Sequence, residues 1–353
     1  MFGTRSRRTL GFLSALAMLG AVQLVAAPAA HADDDNDPYC YTNTSTKKPL
    51  YRGPSASRIY DWINPSIQVS ARFSPGVDIP VGLLGGRYVP QGLASWSNWN
   101  GRGEDLLLIS AYHDGNGNKD PDGSSAVFGV VANGSRAGTG LGRMLIANGH
   151  VGGVAVYGGW LYVGSESTIR GYRLSTLRNA LAGANPKKQE PAAYNRPSSF
   201  RVSYLGTGDG HLWAGTFSEN SPTHLNGYVQ TSRSAGTLAF RSGTQVYAPK
   251  KTQGVAVTAG HVIFSTSYGR NDRGNIWIFR RGQQNATDRN SYCFRAPSMN
   301  QGVTVLNSRL HLGFESGAYT YNHGWDDPDN PITRLHSARL SLVTSLFSEG
   351  PED

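Results

Sequence analysis

The sequence predicts an all-β fold in which five four-stranded antiparallel units close into a ring. Three observations carry that expectation. A short motif recurs at nearly equal steps, and a two-residue turn follows most copies at a fixed offset. Glycine is also abundant, 44 of 353 residues, without the triplet period of collagen. Charged residues make up only 16% and aromatic residues 10%, which is too little charge for a coiled coil and too aromatic for a disordered chain.

The motif is clearest in Gln253-Gly254-Val255-Ala256-Val257 and Gln301-Gly302-Val303-Thr304-Val305. Gly152-Gly153-Val154-Ala155-Val156 and Gln91-Gly92-Leu93-Ala94 match it, and Ser203-Tyr204-Leu205-Gly206 is a weaker copy. The second residue of each copy falls at positions 92, 153, 204, 254 and 302, in steps of 61, 51, 50 and 48 residues. Five and six residues past the last four anchors stand Gly158-Gly159, Asp209-Gly210, Ala259-Gly260 and Asn307-Ser308. The first two are strong hairpin turns, because two-residue loops need positive φ that Gly and Asp tolerate.

An alternating second strand follows each turn, as in Leu161-Tyr162-Val163 and Val262-Ile263-Phe264. Small residues close it at Gly164, Gly215, Ser265 and Gly313, where they are expected to let strands crowd around an axis. Third strands are expected at Ile169–Tyr172, Leu225–Val229 and Ile276–Phe279, and fourth strands at Arg143–Ile146, Gln245–Tyr247 and Cys293 with its neighbours. In the last unit the third strand is expected to reach Tyr319–Tyr321. Either Ile332–Leu335 or the N-terminal run Ile79–Leu83 would supply its outer strand. One helix is expected between the third and fourth strands of the second unit, as decoration on the rim, capped by Ser175, with Leu177, Ala180 and Leu181 as its apolar face and Gly183 at its end.

Four short strands per unit of about 50 residues is the pattern of a propeller blade. Over roughly Pro80 to His336 the chain resembles five-bladed β-propellers as an architectural class. The W-D and kelch signatures are absent. Such rings occur among arabinanase-type and fructosidase-type glycosidases, certain lectins and calcium-activated nucleotidases. The resemblance therefore implies a ligand funnel on the axis but no single activity.

Residues 1–32 read as an export signal: Arg5, Arg7 and Arg8 lead an apolar stretch, and Ala30-His31-Ala32 precedes Asp33. Ser6–Leu10 also resembles a twin-arginine motif, so both Sec and Tat export fit an extracellular protein. An N-terminal arm is expected over 33–78, the propeller over 79–340 and a tail over 341–353. No later run has the ~20 apolar residues of a membrane span. The mature chain keeps 30 basic and 24 acidic residues, net +6, spread without the stripe of a nucleic-acid binder. In an exported protein, Cys40 and Cys293 are expected to form one disulfide, tying the arm to the fourth blade's outer strand. A monomer is expected.

Residues just before the anchors, Gln91, Gly152, Ser203, Gln253 and Gln301, should ring the axis at the ligand-facing end. Their three amides suit sugar hydroxyls. His150 lies nearby as a ligand contact. Thirteen residues past the anchors come Glu166, Phe217, Ser267 and Glu315, with Tyr112 as the counterpart in blade one. Glu166 and Glu315 would face each other across the mouth as the paired carboxylates of glycoside cleavage, and Phe217 and Tyr112 offer flat surfaces to a sugar ring. Asp114, Asn116, Asn118 and Asp120 alternate as in calcium loops, making calcium the expected cofactor, although the distal bidentate Glu is missing.

These readings lead to an exported propeller binding an extracellular ligand, carbohydrate before other small molecules. Two alternatives stand beside it. One is a polysaccharide-degrading glycoside hydrolase or lyase that uses Glu166 and Glu315; the other is an extracellular protein-interaction scaffold.

Overall fold

The computed structural model describes residues 73–118, 121–183, 188–243, 245–270, 274–282, 291–322, 328 and 331–345, all within the compact unit Pro38–Asp353. It is a five-bladed β-propeller. Blade one comprises β2 (Tyr88–Trp96), β3 (Leu106–His113), β4 (Ser125–Val131) and β5 (Gly140–Ile146), numbered from the axis outwards. Blade two follows with β6 (Gly153–Tyr157), β7 (Trp160–Ser165), β8 (Thr168–Arg173) and β9 (Tyr194–Pro197). Blade three has β10 (Tyr204–Gly208), β11 (His211–Gly215), β12 (Thr223–Ser232) and β13 (Thr237–Phe240), with β14 (Val246–Ala248) on the other half of β12. Blade four contains β15 (Thr252–Val257), β16 (His261–Thr266), β17 (Gly274–Arg280) and β18 (Ser291–Ala296). Blade five is built from β19 (Asn300–Leu306), β20 (Arg309–Phe314), β21 (Arg334–Arg339) and, outermost, β1 (Ser74–Asp78).

The hairpin turns form as the residues dictate. Gly158-Gly159, Asp209-Gly210 and Asn307-Ser308 all carry positive φ at both positions, the geometry that matches the twist of the flanking strands. Side chains then alternate between the two faces of each blade. Leu106 and Leu108 of β3 pack towards blade two, whereas Leu107 and Ile109 pack towards blade five. Val262 and Phe264 of β16 face blade three, and Ile263 faces blade five. Each of the five gaps between neighbouring blades consequently has its own hydrophobic cluster. A strand such as β4, with all seven residues buried, is apolar on both faces for this reason.

At the axis the repeated glycines close the ring. A Cβ on Gly92 would lie 2.7 Å from the Gly152 carbonyl oxygen in the segment entering blade two. One on Gly152 would lie 2.1 Å from the Ser203 oxygen entering blade three. A Cβ on Gly206 would likewise lie 2.4 Å from the Val255 oxygen, one on Gly254 2.8 Å from the Gln301 oxygen, and one on Gly302 2.2 Å from the Leu93 nitrogen of blade one. Each innermost strand therefore touches the next blade's backbone where a side chain has no room. Gly164 and Gly215 of the second strands instead receive Val202 and the Tyr204 ring.

Several expectations need correction. Tyr319–Tyr321 is a 3-10 turn, and the third strand of blade five is β21. The N-terminal segment closes the ring through β1, pairing Ser74 with Ser337 and Asp78 with Arg334. Val81–Leu84, expected as a strand, is the short helix α1, so the propeller draws its outer strand from the stretch assigned to the arm. In blade three β13 covers Tyr228–Ser232 of β12, while the expected strand near Gln245–Tyr247 pairs with Thr223–Leu225. The helix α2, between β8 and β9 of blade two, spans Leu174–Ala182 with Arg173, not Ser175, at its N-cap. It is more than a rim decoration: Leu177 and Leu181 are buried, and Leu181 lies against Gly129 of β4. A short C-terminal helix, α3 (Leu340–Thr344), buries Val343 in the cluster between blades four and five.

Cys293 is buried in β18, while Cys40 and the export signal lie outside the described residues. Among the described residues, no helix is long and apolar enough to cross a membrane.

Candidate functional site

The innermost strands of blades one, four and five share an irregularity that positions the site. Pairing slips by one residue between Pro90 and Leu93, between Thr252 and Gly254, and between Asn300 and Val303. Each slip leaves a Gln-Gly step carrying an unmatched residue: Gln91-Gly92, Gln253-Gly254 and Gln301-Gly302. A bulge bends the strand and re-aims a side chain. Here it delivers all three glutamines to one cavity of about 360 Å³. In blades two and three the equivalent Gly152 and Ser203 precede the strands and line the same cavity.

The cavity also gathers Tyr112, His150, Glu166, Phe217 and Glu315. Thus every residue expected to contact or process the ligand lies on one pocket. Ser267, the fourth member of the same repeat position, is buried outside the lining and accepts a hydrogen bond from Gln253 through its carbonyl at 3.2 Å.

Two of the glutamine amides converge on one carboxylate. Gln91 donates through Nε2 to Glu315 Oε2 at 2.8 Å, and Gln301 donates to the same side chain. Burial nevertheless dominates and pushes the Glu315 carboxyl up to about 7. The two amide donors and the positive charge of Arg270 offset part of the effect. The Tyr321 ring stands beside it, its hydroxyl 3.4 Å from that of Tyr112, with the Arg270 guanidinium 5.3 Å from its ring centre. Burial and the neighbouring Glu315 raise the Tyr321 phenol well above the usual tyrosine range. Tyr112 also meets the His150 ring edge to face at 5.1 Å.

The opposite wall differs. Glu166 is exposed and pairs with Arg201 at 3.0 Å. It sits at positive φ in the turn between β7 and β8. Ser165 beside it is buried, and its hydroxyl has no partner among the described residues. Phe217 leans towards Tyr268, with ring centres 6.2 Å apart. The cavity therefore has a buried acid held by amides on the side of blades five and one. On the side of blades two and three it has an exposed ion pair and an aromatic plate.

Arg201, Ser165 and Tyr321 were not singled out from the sequence. Arg201 had a signal, because it stands two residues before Ser203 as His150 stands two before Gly152. Tyr321 was hidden by its assignment to a strand.

The loop expected to bind calcium is stitched by its own hydrogen bonds. The buried Asp114 carboxylate accepts from the Gly117 N–H at 2.8 Å and from the Thr320 hydroxyl. Asn116 accepts from the Asn118 N–H at 3.0 Å. Asp122 organises the turn by accepting from the N–H groups of Gly115 and Asn116 and pairing with His113 at 2.8 Å. These contacts, the Gly115 N–H first, lower the Asp122 pKa. Asp120 lies outside the described residues. Among the described residues, no three His, Cys, Asp or Glu side chains are grouped to hold a metal ion.

No family model matches the chain, and no curated protein is similar to it. Among solved structures it is similar to glutaminyl cyclase from Myxococcus xanthus, at 11% identity and a TM-score of 0.44, over 76% of this chain and 94% of that one. It is also similar to the PQQ-bound aldose sugar dehydrogenase of Streptomyces coelicolor, at 12% identity and a TM-score of 0.40, over 76% and 98%. A third similarity is to a nidogen/laminin complex, at 9% identity and a TM-score of 0.35, over 65% and 73%.

Proposed function

We propose that the axial cavity binds an extracellular carbohydrate. The observation that carries this reading is the convergence of bulge-borne glutamines, phenols, an acid and an aromatic plate from all five blades. Amides and a protonated carboxyl pair with hydroxyls, while Phe217 offers a flat apolar face to a sugar ring. The export signal supports an extracellular location, with Asp33 as the mature N-terminus. A Cys40–Cys293 bond belongs to the same proposal.

A glycan array on the mature protein tests it. Saccharide binding that weakens at least ~10-fold in Phe217→Ala and in Gln253→Ala is expected, the loss of one good contact each. A blank array removes the reading.

The raised pKa of Glu315 favours a second reading, cleavage of a polysaccharide. A carboxyl that holds its proton near neutral pH suits a general acid, and Glu166 would be the second carboxylate. Reducing-sugar release that falls by ~100-fold or more in Glu315→Gln and in Glu166→Gln is the expected result. Activity untouched by either substitution ends this assignment.

A further inference from the structure

A second cavity, of about 640 Å³, lies away from the axis between blades two and three. Its origin is in the strands. β9 has only four residues and ends at Pro197, which cannot extend a ladder through its nitrogen. The outer edge of blade three is split, because β13 and β14 take opposite halves of β12 and leave Asn226 between them. Blades that meet at the axis splay at the rim, and here neither outer edge fills the gap.

The lining has a distinct chemistry. Phe240 is 44% exposed, and its ring meets that of Tyr228 edge to face at 5.9 Å. The Arg196 guanidinium lies 5.3 Å over Tyr228 and donates to the Leu238 carbonyl at 2.8 Å; its Nε is buried without a partner among the described residues. His224 is exposed on the same wall, and Asn226 accepts from Gln245 at 3.0 Å. No Asp or Glu is among the described residues that line the cavity. Among the described lining residues, the ionisable side chains besides Tyr228 are thus an arginine and a histidine.

We propose that this flank is a second binding site, which takes an acidic sugar unit. The pyranose ring rests on Phe240, the amides of Asn226 and Gln245 meet its hydroxyls, and its carboxylate turns towards Arg196 and His224. A guanidinium is the side chain best shaped for a carboxylate, and the basic balance of the mature chain adds attraction at a distance. The cavity lies within the size range of small-ligand sites. The site is separate from the axial cavity, with which it shares no lining residue.

Titration calorimetry of the mature protein with trigalacturonate, and with the neutral galactotriose for comparison, tests the proposal. Trigalacturonate is expected to bind at least ~10-fold more tightly than the neutral sugar, with affinity falling as salt rises. Phe240→Ala and His224→Gln, both at exposed side chains, should each weaken it several-fold while the melting temperature holds. Phe217→Ala in the axial cavity should leave it unchanged. Absence of heat with trigalacturonate, equal affinity for the neutral sugar, or loss of binding in Phe217→Ala but not in Phe240→Ala overturns the assignment. The last outcome would move acidic-sugar binding to the axis. Failure of neutral glycans in the array bears on the axial reading alone.

Discussion

At the scale of single residues, the environment of Glu315 departs from what its sequence position suggests. An unfolded chain ionises it with a pKa near 4.5, whereas the folded cavity raises it to about 7. Between those values the folded state binds the extra proton, so stability falls as pH rises through that window and levels off above about 7. Glu315→Gln removes the penalty. The variant should therefore melt increasingly above the wild type as pH is raised from about 4.5 to 8, with little difference at pH 4. Melting curves at matched ionic strength measure it, and a difference independent of pH would place the ionised carboxylate in a solvated setting. Any ligand that needs Glu315 as a donor should bind more weakly above neutral pH. The three glutamines explain why the acid sits there. Two of them donate to it, and all three arrive through the same slip in strand pairing. The sequence shows Gln-Gly three times, but a bulge is a property of two strands and cannot be seen in one.

At the scale of elements, blade five is the vulnerable one. Its sheet joins the two ends of the described chain through β1 and β21, and it holds two buried histidines, His311 and His336, on adjacent strands. Burial depresses both to about 4. They stay neutral in the fold but gain protons when unfolded below about 6.5, so their contribution is full above that pH and is lost as pH falls towards 4. The sign is opposite to that of Glu315. Amide exchange should therefore show protection in β20 and β21 dropping at least ~10-fold more than in β7 and β8 between pH 7 and pH 5. Uniform loss across the blades would refute a weak seam. The loop between β3 and β4 tells a second story at this scale. Its Asp and Asn spacing suggested calcium, yet Asp114, Asn116 and Asp122 accept backbone N–H groups that close the turn. Those hydrogen bonds shape the turn, and chelation tests the calcium reading: a drop of several degrees in melting temperature on adding EDTA supports a bound cation, and an unchanged melting temperature removes it.

At the scale of the whole molecule, the ring was legible because its logic is periodic. Gln253-Gly254 and Gln301-Gly302 repeat with their turns and strands, and the glycines turn out to be where each blade touches the next. The residues of the axial cavity followed from the same period, which is why Phe217 and Glu166 were found without any motif. What the period did not reach was irregular. Tyr321 lies in a 3-10 turn outside the repeat, and Arg196 and Phe240 meet at a gap made by strands that stop short. The closing strand was displaced for a physical reason too: Pro80 and the helix at Val81–Leu84 leave Ser74–Asp78 as the segment able to pair with β21. Each blade ends in an outer edge strand, and in blade five the N-terminal strand β1 is that edge and covers β21. A chain beginning at Ile79 would lose β1, expose the backbone of β21 along its outer side, and strip cover from Phe73's neighbours Phe294 and Ile332. Such a chain should melt several degrees lower and self-associate, since an unpaired strand edge templates another copy. Supplying residues 70–80 as a separate peptide should reverse both effects. Sedimentation of the truncated chain with and without the peptide decides it: a stable monomer without β1 would mean that the inner glycine contacts, not the closing strand, hold the five blades in their circuit.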